Sequence, residues 1–402
     1  MKRVFARHRK KRYGNKGVLT MKQIYLDYLA STPVDPAVLA EMQPYFADHA
    51  DNPANTASSG GMYSAESVTF ARKRVAKLLG VHPDTICFTS GATESNNLVI
   101  RGVVEALYPE KNRVITSAAE HASVLFTVKS LERHGIETIV LPVDRDARVD
   151  PAMLESSLND RTALVSIMHA NNELGTIQDI SVLARICAAR GVLFHSDIAQ
   201  SCGKVRLDAA ATGIDFATLS SHKMYGPKGC GALYVKSGRK SSLLVPQTTG
   251  GGQEDGLRSG TLNVPCLVGF GKAASLCADS MDADGERLLA MRKKFESTLV
   301  AAIPWARINS RTENSLPNVT HVSFAGTSQG ALVSSLRSIA ISSDSACATD
   351  SGEPSHVLLS CGLMDMDYRA ALRISTGRPT TEMELELASG LIIEAARKCH
   401  KF

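Results

Sequence analysis

A single tryptophan and 5% aromatic side chains are a thin supply for 402 residues. Such poverty argues against a surface built to stack successive bases. No stretch approaches the roughly eighteen uninterrupted apolar residues of a membrane-spanning helix, so no membrane role is expected. Nine cysteines are present, yet no two stand in a C-x-x-C pair. Neither a disulfide scaffold nor a metal site of the usual zinc spacing is supported. Free thiols in a reducing cytoplasm are the expectation.

Acidic residues are missing altogether from residues 1–22, which hold nine basic ones. The rest of the chain has 36 basic against 40 acidic groups, so the overall net charge of +5 comes from this tail on a mildly acidic body. Residues 1–20 read as a basic, disordered extension. Three explanations fit it: a start-site excess ahead of Met21, an arm touching a polyanion such as nucleic acid, or a targeting segment. A secretory signal fits poorly, because no apolar run follows the charges.

What the chain does have is alternation. Strand-like runs at 85–90, 113–118, 138–143, 161–170, 192–197, 216–220 and 231–235 are separated mostly by segments of helical periodicity, including 64–80, 121–135 and 180–191. This pattern predicts an α/β large domain whose mostly parallel seven-stranded sheet is covered by helices. After about residue 270 the texture changes. Strands at 318–324 and 371–376, with helices at 329–340 and 381–399, predict a smaller α+β domain. The expected boundaries are 36–275 for the large domain and 276–402 for the small one, with 21–35 contributing to the latter. The turn-rich segment 341–356 reads as a loop.

In open parallel sheets, chemistry gathers beyond the carboxyl ends of the strands. Lys223 follows one predicted strand and Asp197 ends another. An amine that condenses with an aldehyde, and a carboxylate that keeps a pyridine nitrogen protonated, are the two requirements of pyridoxal 5'-phosphate chemistry. A solvated lysine and a capping aspartate are the ordinary alternatives. Gly91, Ala92 and Thr93 form a strand-to-helix turn whose amides could meet a phosphate, with Ser220 and His222 as further donors. The turn matches neither GxGxxG nor a Walker lysine motif. His121 could stack on a flat cofactor or move protons, or simply cap a helix. Asn172 and Gln200 could bond the ring hydroxyl or the substrate. Arg373 could fork onto a carboxylate, or form a plain salt bridge. Cys347 lies in a small, polar loop rather than an apolar element, where a thiol could reach a cleft and then a partner.

Taken in order, YLDYLASTPVD, FTSGATESNN, HANNELGTIQDI, HSDIAQS, SSHKMYGPKG, GLRSGTLNVP, SSDSACATDSGEPSHVL and LRISTGRPTTEMEL resemble cysteine desulfurases of the IscS/NifS type. These belong to the class-V aminotransferase family of fold-type I pyridoxal-phosphate enzymes. The resemblance spans nearly the whole chain from Tyr25. It implies that sulfur is removed from L-cysteine, giving L-alanine and an enzyme-bound persulfide. Lys223 then matches the cofactor-binding lysine, Asp197 the ring-nitrogen partner, and His121 the residue stacked on the ring. Ala92, Thr93, Ser220 and His222 fall in the phosphate contacts, and Thr261 matches the contact lent by a second subunit. Gln200 matches the ring-hydroxyl contact, Asn172 and Arg373 the substrate contacts, and Cys347 the persulfide carrier. A homodimer with composite active sites and a sulfur-acceptor protein are implied as partners.

SSDSACA resembles the long-loop group and lacks the RxGHHCA pattern of the other. The sequence departs from the family pattern at Ser58, Ser221, Asp255 and Asp344. An acid at Asp344, close to Cys347, would raise the thiol pKa. Iron–sulfur cluster assembly and tRNA thiolation are the common family uses, and the basic tail adds DNA or RNA sulfur modification. Rival readings are another enzyme of this fold, such as a selenocysteine lyase or aminotransferase, and an inactive sulfur-transfer scaffold.

Overall fold

The structure, a computed structural model, describes residues 23–310, 313–343, 355–363 and 370–400. The basic extension 1–20, Asp344 and Cys347 lie outside the described residues.

A seven-stranded sheet carries the large domain. Its spatial order is Ile86–Thr89, Gly231–Val235, Phe216–Ser220, Leu193–Asp197, Thr162–Ser166, Arg113–Ser117 and Glu137–Leu141. The five strands from Phe216–Ser220 to Glu137–Leu141 run parallel, and Gly231–Val235 is antiparallel to both of its neighbours. Four of the strands are buried at every position, as a sheet covered on both faces requires. One core cluster gathers Phe88, Ile115, Val165, Phe194 and Leu219 with Val68, Val75 and Phe270 from the helices over them. A second gathers Val99, Val103, Val114, Leu164 and Leu233. The expected fold class is therefore the observed one.

Helix Ser59–Leu79 begins on Ser58, whose hydroxyl accepts the Gly61 N–H at 3.0 Å. That contact gives the departure at Ser58 a local use as an N-cap. Asp255 binds Arg239 at 2.7 Å. Helix Val264–Ala302 is a single unbroken element of 39 residues. Its first half packs into the large core through Val264, Leu267, Val268 and Phe270. Its second half packs into a separate core through Leu288, Met291, Phe295 and Leu299. The boundary expected at 275 falls along this shared helix.

A four-stranded antiparallel sheet, ordered Ser342–Ser343, Ala370–Ser375, Val319–Phe324 and Ala306–Ile308, forms the small domain with helix Glu382–Cys399. Near the chain start, Ile24–Tyr25 pairs in parallel with Ile339–Ala340. The helix expected over 329–340 accordingly stops at Ser335. Its last residues join a strand whose partner lies over 300 positions away, which no local periodicity reveals.

Candidate active site

A cavity of ≈ 630 Å³ opens where the parallel strands end. Lys223, Asp197, His121, Ala92, Thr93, Gln200, Ser220, His222, Asn172 and Arg373 all line it. Thr261 is exposed and is not among the lining residues, and Cys347 lies outside the described residues.

Each side chain arrives for a local reason. Asp197 is the last residue of Leu193–Asp197, and its carboxylate is buried. The Ala199 N–H donates to Oδ1 at 2.9 Å, and Asn96 Nδ2 donates to Oδ2 at 2.8 Å. Both oxygens are thereby aimed, while further lone pairs remain. Lys223 closes the short 3-10 turn Ser221–Lys223 that follows strand Phe216–Ser220. Its Nζ donates to the carbonyls of Leu29 and Ala30 at 2.6 and 2.9 Å.

The turn before helix Ala92–Leu107 is set by glycine. Gly91 has φ 156° and ψ −179°, a conformation that side chains disfavour. The facing strand starts with Gly231, where a Cβ would stand 2.7 Å from Gly91 Cα. No side chain caps the helix, so its first amides point outward at the positive end of the dipole. Burial opposes charge on Glu94, but the Arg258 guanidinium and the Ser90 N–H outweigh it and keep the carboxyl below its usual range. His222 is pushed down to about 4 by burial and by the ammonium groups of Lys223, Lys228 and Lys204. It is therefore neutral at physiological pH and able to act as a hydrogen-bond donor.

His121 caps helix Ala122–Ser130, as one expected reading has it, and also lines the cavity. The Ser123 N–H donates to Nδ1 at 3.1 Å. Burial holds its pKa below the usual value. Next to it Glu120 is fully buried. Its Oε1 accepts from the Ser117 hydroxyl at 2.6 Å and from the Met168 N–H at 2.9 Å. Burial pushes its carboxyl up to about 8.

The opposite wall comes from the small domain. Arg373, on strand Ala370–Ser375, donates from one terminal nitrogen to the Asn172 carbonyl at 2.8 Å. Its other terminal nitrogen reaches Asp27 at 2.9 Å and Ser342 at 2.8 Å. Asn172 Oδ1 and Arg373 Nε are buried without a hydrogen-bond partner. Two orphaned polar atoms beside one cavity are what a polar ligand would satisfy.

The described ends of the 341–356 segment are tied to the same walls. Ser342 bonds Arg373 and Asp27. On the other side, Ser355 donates to Glu173 at 2.6 Å and His356 Nε2 donates to the Glu120 carbonyl at 2.9 Å. None of the eight described cysteines lines the cavity. Burial pushes Cys187, Cys230 and Cys361 up to about 12 and raises Cys87, Cys202, Cys266 and Cys277 as well.

Sequence reasoning missed Glu120, Asn96, Ser123, Asp27 and the Glu94–Arg258 pair. An acid at the end of an apolar strand was the one local signal for Glu120. The remainder act through contacts remote in sequence.

A family model for class-V aminotransferases matches residues 24–387, and the chain belongs to that family, in its IscS/NifS cysteine desulfurase branch. One relative is the cysteine desulfurase IscS of Anaeromyxobacter sp. (strain Fw109-5). It is 44% identical over 376 residues, covering 93% of each chain. Among solved structures, a NifS-like protein matches with a TM-score of 0.85 and 36% identity, over 92% of this chain and 98% of its own. SspA in complex with cysteine matches with a TM-score of 0.78 and 37% identity, over 88% of this chain and 98% of its own. No helix among the described residues is long and apolar enough to cross a membrane.

Proposed function

We propose that this chain is a pyridoxal-phosphate-dependent cysteine desulfurase. It takes sulfur from L-cysteine, leaves L-alanine, and holds the sulfur as a persulfide on Cys347 for an acceptor protein. The observation that carries this reading is the meeting of Lys223 and Asp197 with Arg373 and Asn172 in one cavity.

The residues present fit the cofactor. Lys223 offers the amine, and Asp197 offers an aimed carboxylate for the ring nitrogen. Ala92 and Thr93 offer uncapped amides at a helix start, where a phosphate is favoured. Ser220 and neutral His222 add donors, and Gln200 stands near Lys223 for the ring hydroxyl. When bound, the cofactor captures the substrate amine and withdraws electrons from its α-carbon.

The chain's own groups do the rest. The unsatisfied, buried Nε of Arg373 donates to the substrate carboxylate, and Asn172, lining the same cavity, offers its amide nitrogen as a second donor. Lys223 takes the α-proton at Nζ. His121 offers a hydrogen bond near the substrate sulfur. The Cys347 thiolate attacks that sulfur: the substrate C–S bond breaks, an S–S bond forms, and the product carbon gains a proton. Cys347 follows Ser343 by four residues, a reach of at most ~14 Å of extended chain. Ser343 adjoins Ser342, which is bonded to Arg373. Exposure of Thr261 away from the cavity supports its assignment to a second copy's phosphate site, in a homodimer.

Incubation with L-cysteine and a reductant tests the proposal by quantifying alanine and sulfide. Wild type should yield both, and Cys347→Ala should lose sulfide release. A cofactor-loaded wild type that makes no alanine overturns the reading.

A further inference from the structure

Between the two cavity residues Asp197 and His121 runs an unbroken line of hydrogen bonds through residues outside the cavity. Asn96, fully buried, donates from Nδ2 to Asp197 Oδ2 at 2.8 Å and to Ser123 Oγ at 2.8 Å. Ser123 Oγ lies 2.8 Å from His121 Nδ1. Two groups in this line can act in only one sense. A carboxylate only accepts, so the Asn96 amide must present its nitrogen to Asp197. A backbone N–H only donates, so the Ser123 amide, 3.1 Å away, requires a lone pair on His121 Nδ1.

The remaining polarities follow. With its lone pair toward Ser123, the neutral ring carries its proton on Nε2. The Ser123 hydroxyl then donates to Nδ1 while its oxygen accepts from Asn96. We propose that Asn96 and Ser123 are positioning residues that lock His121 in its Nε2–H tautomer and tie that choice to the Asp197 carboxylate. Nδ1 is thus committed to Ser123, and the nitrogen left for a ligand in the cavity is a hydrogen-bond donor.

This assignment rests on the desulfurase reading for the use of that hydrogen bond, but the tautomer itself does not. Protonation at Nδ1 would set an N–H against the Ser123 N–H, so the imidazolium is disfavoured there. Burial acts in the same direction, as do Lys223 and His356, while Asp197 opposes them. A neutral ring whose tautomer is already chosen presents its Nε2–H as a hydrogen-bond donor without reorganising.

The test is nitrogen NMR of the cofactor-loaded enzyme carrying 15N-labelled histidine, compared with its Asn96→Ala, Ser123→Ala and Ser123→Thr variants. In wild type at neutral pH, Nδ1 of His121 should resonate as pyridine-like and Nε2 as pyrrole-like. Asn96→Ala and Ser123→Ala should draw the two signals toward each other as the other tautomer becomes populated. Ser123→Thr keeps the hydroxyl and should retain the wild-type separation. His195, held by Ser166 at 2.8 Å and Thr218 at 3.0 Å, gives an internal check that the sheet is intact. A wild-type His121 with its proton on Nδ1, an imidazolium at neutral pH, or unchanged spectra in both alanine variants overturns the proposal. Mass analysis for reduced cofactor on Lys223 runs in parallel. If Lys223 carries none, the desulfurase reading fails separately, and the tautomer result stands by itself.

Discussion

Lys223 and Gln200 donate to the same oxygen, the Leu29 carbonyl, at 2.6 and 2.9 Å. A backbone carbonyl cannot be altered by a side-chain substitution, so the amine's position is tied to the path of the chain at Leu29 and Ala30. Lys223→Arg keeps the charge and the donors but cannot form the covalent bond to an aldehyde. Borohydride reduction followed by mass analysis should find cofactor attached to wild type and not to this variant. Cysteine turnover should fall by at least about 10²–10⁴-fold, the usual worth of the lost acid–base step alone.

Arg373 is aimed by Asp27 and Ser342 as well as by the Asn172 carbonyl. Arg373→Lys preserves charge but loses the planar fork. The loss of one charge-assisted hydrogen bond, about 1.5–3 kcal/mol, should raise KM for cysteine by roughly 10- to 150-fold. Steady-state kinetics check this. An unchanged KM would remove Arg373 from substrate binding.

Glu120 makes stability depend on pH. Its folded-state pKa, about 8, lies above the ordinary carboxyl value, so the folded protein holds a proton that the unfolded chain has released. Stability therefore falls as pH rises from the ordinary carboxyl range through about 8. Glu120→Gln removes this slope. Urea unfolding at several pH values should show the variant gaining on wild type as pH rises, with the gap levelling off above the folded-state value.

Burial keeps seven of the eight described thiols protonated at neutral pH, and Cys399 stands off the cavity. Brief treatment with iodoacetamide should therefore modify Cys347 before any of those seven, and desulfuration should disappear in proportion. Peptide mapping checks the order. Earlier modification of Cys230 or Cys87 would contradict it.

Arg292 is almost completely buried and bonds Glu296, Ser315, Ser310 and the Leu316 carbonyl. Arg292→Ala strands Glu296 in the core and should cost about 3–5 kcal/mol in denaturant unfolding. Arg292→Met together with Glu296→Leu removes both charges and should recover much of that loss.

Local pattern was a good guide wherever burial dictates residue type. Phe216–Ser220 and Gly231–Val235 have the bounds that their apolar runs suggested, because a covered strand is apolar at nearly every step. Lys223, Asp197 and Arg373 were visible as polar residues at or near strands. Ile339–Ala340 misled, since its strand character comes only from Ile24–Tyr25. Asn96 and Ser123 look like routine polar residues on helical segments. Their importance lies in a junction between two helices and a strand end, and only the folded chain assembles it.

The unbroken helix Val264–Ala302 is about 58 Å long. One end is embedded in the layer that supports Lys223 and Asp197, the other beneath the sheet that carries Arg373. Because nothing interrupts this rod, the two walls of the cleft have a common axle, and any rocking between them must bend or pivot it. A proline at an exposed mid-rod position such as Asp282 would act as an inserted joint, loosening the grip on the amino acid while sparing each wall's own architecture.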